Sequence, residues 1–401
     1  YCIPWNPMST ASSGAGSREK VVVFRQVRVV LPYRVTKECD LIVRQRRIAS
    51  MVAEFSPASE AIVVEARGLY AAPGLIDIHC HSDGRSSFFE QVEAVAGNLL
   101  HGGTTGVLAT LAYCDMAPGR LREQVEAFWA ARGAVARQTV LGVHLEGPYT
   151  NPDYGALVRP GQAHPPDPSE YEPVLERCSE IVRLWMIAPE LPGIAAFARA
   201  AAAHKVLLAA GHTEAVFDQL LPLIPLGLRV ATHWSNATGT PPPRFAGTRT
   251  AGIDEFALIH DNMMAEVICD SGGCHVSPAM LQLLYRAKGP DGIILISDAY
   301  WSEGGQASVR PETDVHFTLD GRLNGSRLSV LAAAKNFRRA IGCSLPEIFR
   351  MGALNPARLF GWAGEVGSLE PGKLANILLV DDDLNLRGVW LAGRPIVGVR
   401  R

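Results

Sequence analysis

The sequence predicts an α/β protein: a (β/α)8 TIM-like barrel with a small β-sandwich domain formed from both chain ends. Three observations predict it. After Pro73-Gly74, eight apolar runs of strand length are separated by Ala- and Leu-rich stretches of helical character, the rhythm of βα repeats around a parallel sheet. Short β-branched patterns occupy the chain before that point and return after Gly361. The 401 residues exceed the roughly 250 of a barrel alone and leave room for one small domain more.

Residues 1–18 are small and polar at their end (Ser9 to Ser17) and are expected to be disordered. From Val21 to Val64 the pattern VVVFRQVRVVLPYRV, CDLIVR, RIASMVAEF and AIVVEA alternates with period two in places, as half-buried strands do. The tail after Gly361, VGSLEPGKLANILLVDDD and then VWLAGRPIVGV, repeats that character. Because sheet edges need partners, the two ends are expected to pair, so 19–71 and 362–401 form one small β-domain around a barrel of 72–361.

The eight barrel runs are 75–79, 104–111, 140–146, 181–189, 205–212, 228–234, 264–270 and 292–298. In barrel enzymes the chemistry sits where strands end, and polar residues are concentrated there. The first run ends in His79-Cys80-His81, the third in His144-Leu145-Glu146, the fifth in His212, the sixth in His233 and the eighth in Asp298. Residues two apart on a strand share a face, so His79 and His81 both point to the barrel axis, as two ligands of one ion must. Any one of these residues alone is more often a packed or surface polar group; their gathering at the ends of different strands of one barrel makes a metal site.

Nitrogen and oxygen donors suit Zn²⁺ best and also Fe²⁺, Mn²⁺, Co²⁺ or Ni²⁺. Such an ion acidifies bound water, and Asp298 is placed to move a proton between that water and a leaving amine. His144 shares the face of Glu146 lower in the barrel and is expected to support the site, while Cys80 points away from its neighbours. Cys269 and Cys274 flank a loop, and buried structural roles are expected for both.

Other classes are excluded or weakened. Lys and Arg (38) nearly balance Asp and Glu (40), with no basic stretch to track a phosphate backbone, so nucleic acid is not an expected partner. No apolar run reaches the roughly 18 residues of a membrane span. Eight scattered cysteines without CxxC pairs, and no secretory leader pattern, fit a cytoplasmic protein with reduced thiols. GAGS near residue 14 follows no strand and opens no helix, so a dinucleotide fold is not supported.

At PGLIDIHCHS (73–82), GGTTGVLATL (102–111), HLEGPY (144–149), AGHTEA (210–215), THWSNAT (232–238), DSGGCHVSP (270–278), ISDA (296–299) and GSLEPGKLANILLVD (367–381), the chain resembles the amidohydrolase superfamily. Within it the chain is similar to the N-acetylglucosamine-6-phosphate deacetylase family, from about residue 20 to the end. The resemblance implies metal-dependent hydrolysis of the acetamide of an N-acetylamino sugar, with its 6-phosphate or an unphosphorylated or decorated sugar as substrate, in a homodimer. An N-acyl amino acid or a cyclic amide is the weaker alternative. It assigns Glu146, His212 and His233 to the main metal, His79 and His81 to a second position, hence one or two ions, and Asp298 to general acid–base work. His275 is implied to polarise the acyl carbonyl; Asn236 and Ala237, with Arg244 and His164, are implied to bind substrate. Three departures concern substrate recognition: Pro243-Arg244-Phe245-Ala246-Gly247 replaces the family's HREPG loop, His164 follows an apparent insertion through Tyr154 to Pro160, and DSGGC lengthens the approach to His275.

Overall fold

Eight parallel strands pair in chain order: β1 (Leu75–Cys80), β2 (Thr104–Ala112), β3 (Val140–Glu146), β4 (Val182–Ile187), β5 (Leu207–Ala210), β6 (Leu228–Ala231), β7 (Met264–Ile268) and β8 (Ile293–Ile296). The computed structural model describes residues 20–115, 119–155, 161–243, 245–301, 308–309, 314–318 and 321–399. The expected disordered segment 1–18, and Arg244, lie outside them. β1 and β2 are buried along their whole length, because helices cover one face and the barrel core fills the other; hence their continuous apolar runs. A helix such as Val330–Ile341 shows how the outer layer is set: Ser329 caps its N-terminus by accepting from Ala332 N, and Gly342 ends it at φ 78°. Its buried face presents Val330, Leu331, Ala333, Ala334 and Phe337. Among the described residues no helix is long and apolar enough to cross a membrane.

The barrel closes just past the ends of its first and last strands. Asp298 N donates to His79 O and His81 N donates to Ala299 O, each at 2.9 Å. Closure therefore places the carboxylate-bearing segment after β8 beside the histidines that end β1. Beyond β8 lies a feature absent from the expected repeat, a three-stranded antiparallel insert of Ser308–Val309, Val315–Phe317 and Leu323–Ser326. Ser326 N donates to Asp298 O at 2.8 Å and Tyr300 N to Ser326 O at 3.0 Å, so the insert is fastened to the strand end. Gly325 allows the close approach: it has φ 68°, and a Cβ there would lie 2.9 Å from Asp298 O.

The chain ends build a separate mixed sheet, in the order Arg394–Val397, Leu386–Leu391, Ile377–Val380, Tyr70–Pro73, Val21–Leu31, Cys39–Arg44, Arg47–Val52. Arg34–Val35 and Ile62–Glu65 also pair with Val21–Leu31. The long first strand has a bulge at Gln26 (φ 54°), whose N–H is taken by Asp40 Oδ1 at 2.9 Å. The strand pairs with Cys39–Arg44 up to Val27, just past the bulge, and with Tyr70–Pro73 from Arg28 on, so one strand serves both halves of the sheet. The halves share one apolar core, in which Phe24 meets Trp390 edge-on at 4.7 Å. The expected small sandwich is built from the two halves of one mixed sheet around a shared core, and the tail pairs with the N-terminal strands through Ile377–Val380 against Tyr70–Pro73.

Candidate metal centre

Five side chains, from three strand ends and the closing segment, gather around Glu146, which ends a fourth strand. Its Oε1 lies 3.1 Å from His212 Nε2, 3.5 Å from His79 Nε2 and 3.7 Å from His233 Nε2; its Oε2 lies 3.3 Å from His81 Nε2. Asp298 Oδ1 completes the ring at 3.5 Å from His79 Nε2 and 3.3 Å from His81 Nε2. Two donor triads result, His79/His81/Glu146 and Glu146/His212/His233, each with ligand atoms within 4.8 Å of one another and Glu146 common to both.

The backbone explains why these side chains can meet. β5, β6 and β8 each end two residues before His212, His233 and Asp298; His212 (φ 45°), His233 (φ 29°) and Asp298 (φ 47°) all take left-handed backbone. Such a conformation is uncommon outside glycine and turns each side chain inward over the barrel mouth. Surrounding bonds hold it. His212 O accepts from Asn151 N, and Glu190 gathers Asn151 Nδ2, Glu214 N and the Thr213 hydroxyl around the same turn. After β6, Asp254 takes Ser235 N and the Thr238 hydroxyl.

The proton positions favour a cation. His212 Nδ1 faces Tyr154 O at 2.6 Å and His233 Nδ1 faces Asn236 O at 2.9 Å; carbonyls only accept, so both Nδ1 atoms carry protons. The two Nε2 atoms stand 3.2 Å apart and point at one carboxylate oxygen. One ion satisfies all three. Likewise His79 Nε2 is buried without a hydrogen-bond partner. Burial disfavours charge on His79, but the carboxylates of Asp298, Glu146 and Glu266 outweigh it and hold its pKa well above the usual histidine range. Burial likewise opposes ionisation of Glu146, yet His81 and hydrogen bonds from His212, His233 and His79 hold it well below the carboxylate range. The same balance, burial against His79 and His81, lowers Asp298. The donor set therefore fits a divalent metal by its own chemistry.

Above the donors opens a cavity of about 470 Å³. His81, Glu146, His212, His233 and Asp298 form one side of it, and Asn236 and Ala237 (φ 51°) another. Tyr154 and Tyr300 contribute rings, and the insert contributes Arg322, Leu323 and Asn324.

Other expected residues fall elsewhere. His144 is fully buried beneath the donors, its ring 4.7 Å from that of His79, and burial followed by His79 lowers its pKa well below the usual value, so it packs as a neutral ring. His275 is held by Asp270, whose Oδ2 lies 3.1 Å from its Nδ1, and it is not among the residues lining the cavity; DSGGC wraps its backbone N–H groups around Asp270 instead. His164 is also outside the lining: its Nδ1 faces Pro165 O and its Nε2 lies 3.7 Å from Glu170, while Tyr154 and Gly155 of the preceding loop reach the cavity. Cys269 is buried, but Cys274 is exposed, correcting its expected buried role.

Several residues at the site were not anticipated. Glu266 on β7 meets His79; Asp77, whose pKa burial pushes up to about 6, takes the N–H of His79 and of Ser297; Glu190 ties down the His212 turn. A charged residue inside an otherwise apolar run was the available signal for Glu266 and Asp77.

The amidohydrolase family model matches residues 251–396. Over 404 residues the chain is 27% identical to N-acetylglucosamine-6-phosphate deacetylase of Lysinibacillus sphaericus, covering 93% of this chain and 97% of that one. It is 28% identical to N-acetylgalactosamine-6-phosphate deacetylase of Escherichia coli O157:H7, covering 90% and 96%. The crystal structure of N-acetylglucosamine-6-phosphate deacetylase from Pasteurella multocida matches with a TM-score of 0.83 at 21% identity, covering 94% of this chain and 100% of that one. A Mycobacterium smegmatis deacetylase structure in complex with N-acetyl-D-glucosamine-6-phosphate matches at 0.81 and 24%, covering 95% and 100%. With its eight-stranded barrel, its histidine and carboxylate donors at the strand ends and these relatives along nearly its whole length, the chain is similar to the amidohydrolase family and, within it, to amino-sugar-phosphate deacetylases.

Proposed function

We propose that this protein hydrolyses the acetamide of an N-acetylamino sugar 6-phosphate, releasing acetate and the free amine. One observation carries the reading: Asp298 Oδ1 stands 3.3–3.5 Å from two histidines of a donor set that opens into the cavity. The relatives, which act on N-acetylglucosamine- or N-acetylgalactosamine-6-phosphate by their names, supply the substrate class. His79, His81, Glu146, His212 and His233 would hold one or two divalent ions, zinc first among the candidates. A metal bound there supplies an acidified water as nucleophile. Asp298, kept ionised by its histidine neighbours, takes a proton as the water oxygen bonds to the acyl carbon. It returns that proton to the nitrogen as the C–N bond breaks, so the amine leaves neutral. Tyr154 O and Asn236 O hold the protons of His212 and His233 on Nδ1, leaving Nε2 of each to face the reaction.

Asn236 and Ala237 would bind the phosphate through the backbone, with Arg244 as a further cation. His275, whose Nε2 is buried without a hydrogen-bond partner, would polarise the acyl carbonyl, and His164 would contact the substrate. The reading includes a cytoplasmic homodimer; Cys39, Cys80, Cys178, Cys269 and Cys343 are free thiols, as a reducing compartment favours.

The test is amine release from N-acetylglucosamine 6-phosphate, N-acetylgalactosamine 6-phosphate and their unphosphorylated forms by metal-loaded protein, beside Asp298→Asn. Strong preference for a phosphorylated sugar is expected. Turnover of unphosphorylated sugars alone would move the specificity to a decorated or neutral sugar; no turnover by metal-loaded protein would sink the amino-sugar assignment.

A further inference from the structure

We infer that Glu266 is the positioning residue that makes His79 a metal donor and joins the two halves of the centre; the inference rests on the metal-dependent reading above. Glu266 lies in the middle of β7, fully buried, between Ala265 and Val267. An apolar side chain would fill that place without the cost of taking a carboxylate out of water, so the charge needs a reason. Its contacts give one. Oε2 accepts from His79 Nδ1 at 3.2 Å, which leaves Nε2, the nitrogen facing Glu146 and Asp298, as the one free to donate to a metal. The same oxygen lies 3.4 Å from the His233 N–H, and Glu266 O accepts from Trp234 N at 2.8 Å. One residue thus sets the ring nitrogen of a ligand in the first triad and the left-handed backbone of a ligand in the second. Its other oxygen, Oε1, is buried without a partner, so the carboxylate is not there to complete an internal network of its own.

Among the described donors of the centre, only His79 has its Nδ1 proton fixed by a carboxylate; His212 and His233 use backbone carbonyls, which no substitution of a side chain removes. Loss of Glu266 should therefore weaken the His79/His81 position first.

The experiment compares wild type, Glu266→Gln and Glu266→Asp for Zn²⁺ affinity by competition with a chromogenic chelator, for bound zinc per chain, and for the melting temperature of the metal-free protein. Glu266→Gln is expected to raise the dissociation constant of the weaker-held ion about 10- to 100-fold, the usual effect of removing such a partner, with the metal-free melting point unchanged or higher. Glu266→Asp, which keeps the charge but shortens the reach, is expected to recover part of the loss. Zinc affinity within twofold of wild type, or a loss matched by a fall in the metal-free melting point, would overturn the inference and leave a merely structural residue. The two readings fail separately: wild type that binds zinc through Glu266 but cleaves no acetamido sugar loses the substrate, whereas active wild type with a Glu266→Gln variant of normal zinc affinity loses Glu266.

Discussion

The two triads around Glu146 are built on different principles. His79 and His81 extend from β1 where the strand's own alternation aims them at the axis, and a buried side chain fixes the proton of His79. His212 and His233 sit past their strands in left-handed backbone, and main-chain carbonyls fix their protons. One half is secured by residue identity and the other by the path of the chain. A site of this kind should lose its first half by point substitution and its second only when a loop is disturbed.

The sharpest test of that contrast removes what the halves share. Glu146→Ala should strip metal from both positions and lower kcat/KM by roughly a thousandfold or more, because the activated water goes with the ion; metal analysis beside turnover decides it, and retention of a full complement of metal would contradict the shared role. Asp298→Asn should lower kcat by about 10²- to 10⁴-fold while bound metal stays near the wild-type level, which separates proton transfer from metal holding.

Disturbing the loop side comes next. Thr213→Val removes the hydroxyl that Glu190 holds beside His212 and leaves a half-buried carboxylate oxygen short of a partner. A stability loss of about 1–3 kcal/mol is expected by chemical denaturation, with metal lost from the His212 half ahead of the other. Gly325→Ala should act on the closing segment: at φ 68° its Cβ would crowd Asp298 O, so the insert must draw back, and KM and kcat should worsen together with little change in metal content.

The smallest expected effect lies outside the centre and checks that the contrast is local. Burial works against the charge on Asp270, but His275 and the N–H groups of Cys274 and His275 outweigh it and bring its carboxyl down to about 2. The unfolded chain titrates near 3.9, so the unfolded state binds more protons between about pH 4 and pH 2. Asp270 thus stabilises the fold fully above that window and loses its contribution as the pH falls through it. Asp270→Asn should flatten the acid limb of the stability curve there; an unchanged limb would remove Asp270 from the account.

The half of the site that depends on residue identity was legible in the sequence. Period-two spacing of His79 and His81, and polar residues closing apolar runs, led to the donor set without coordinates. The path-dependent half was legible only as residue types: nothing in GHTEA or THWSNAT announces that β5 and β6 stop early or that their histidines turn left-handed. Glu266 was hidden for a related reason, since one acid in MAEVI reads as an outward-facing residue until the barrel shows which face is inside. The insert from Ser308 to Ser326 was missed because strands of two to four residues carry too few alternations to register against the repeat.

The closure of the barrel has a last consequence. The seam between its first and final staves is tied off by His79 O, Asp298 N, His81 N and Ala299 O, the very segment that carries the chemistry. Any breathing of that seam parts Asp298 from the histidines. Activity should therefore report on this one joint of the wall, fading wherever it opens even if the far side of the barrel still keeps its shape.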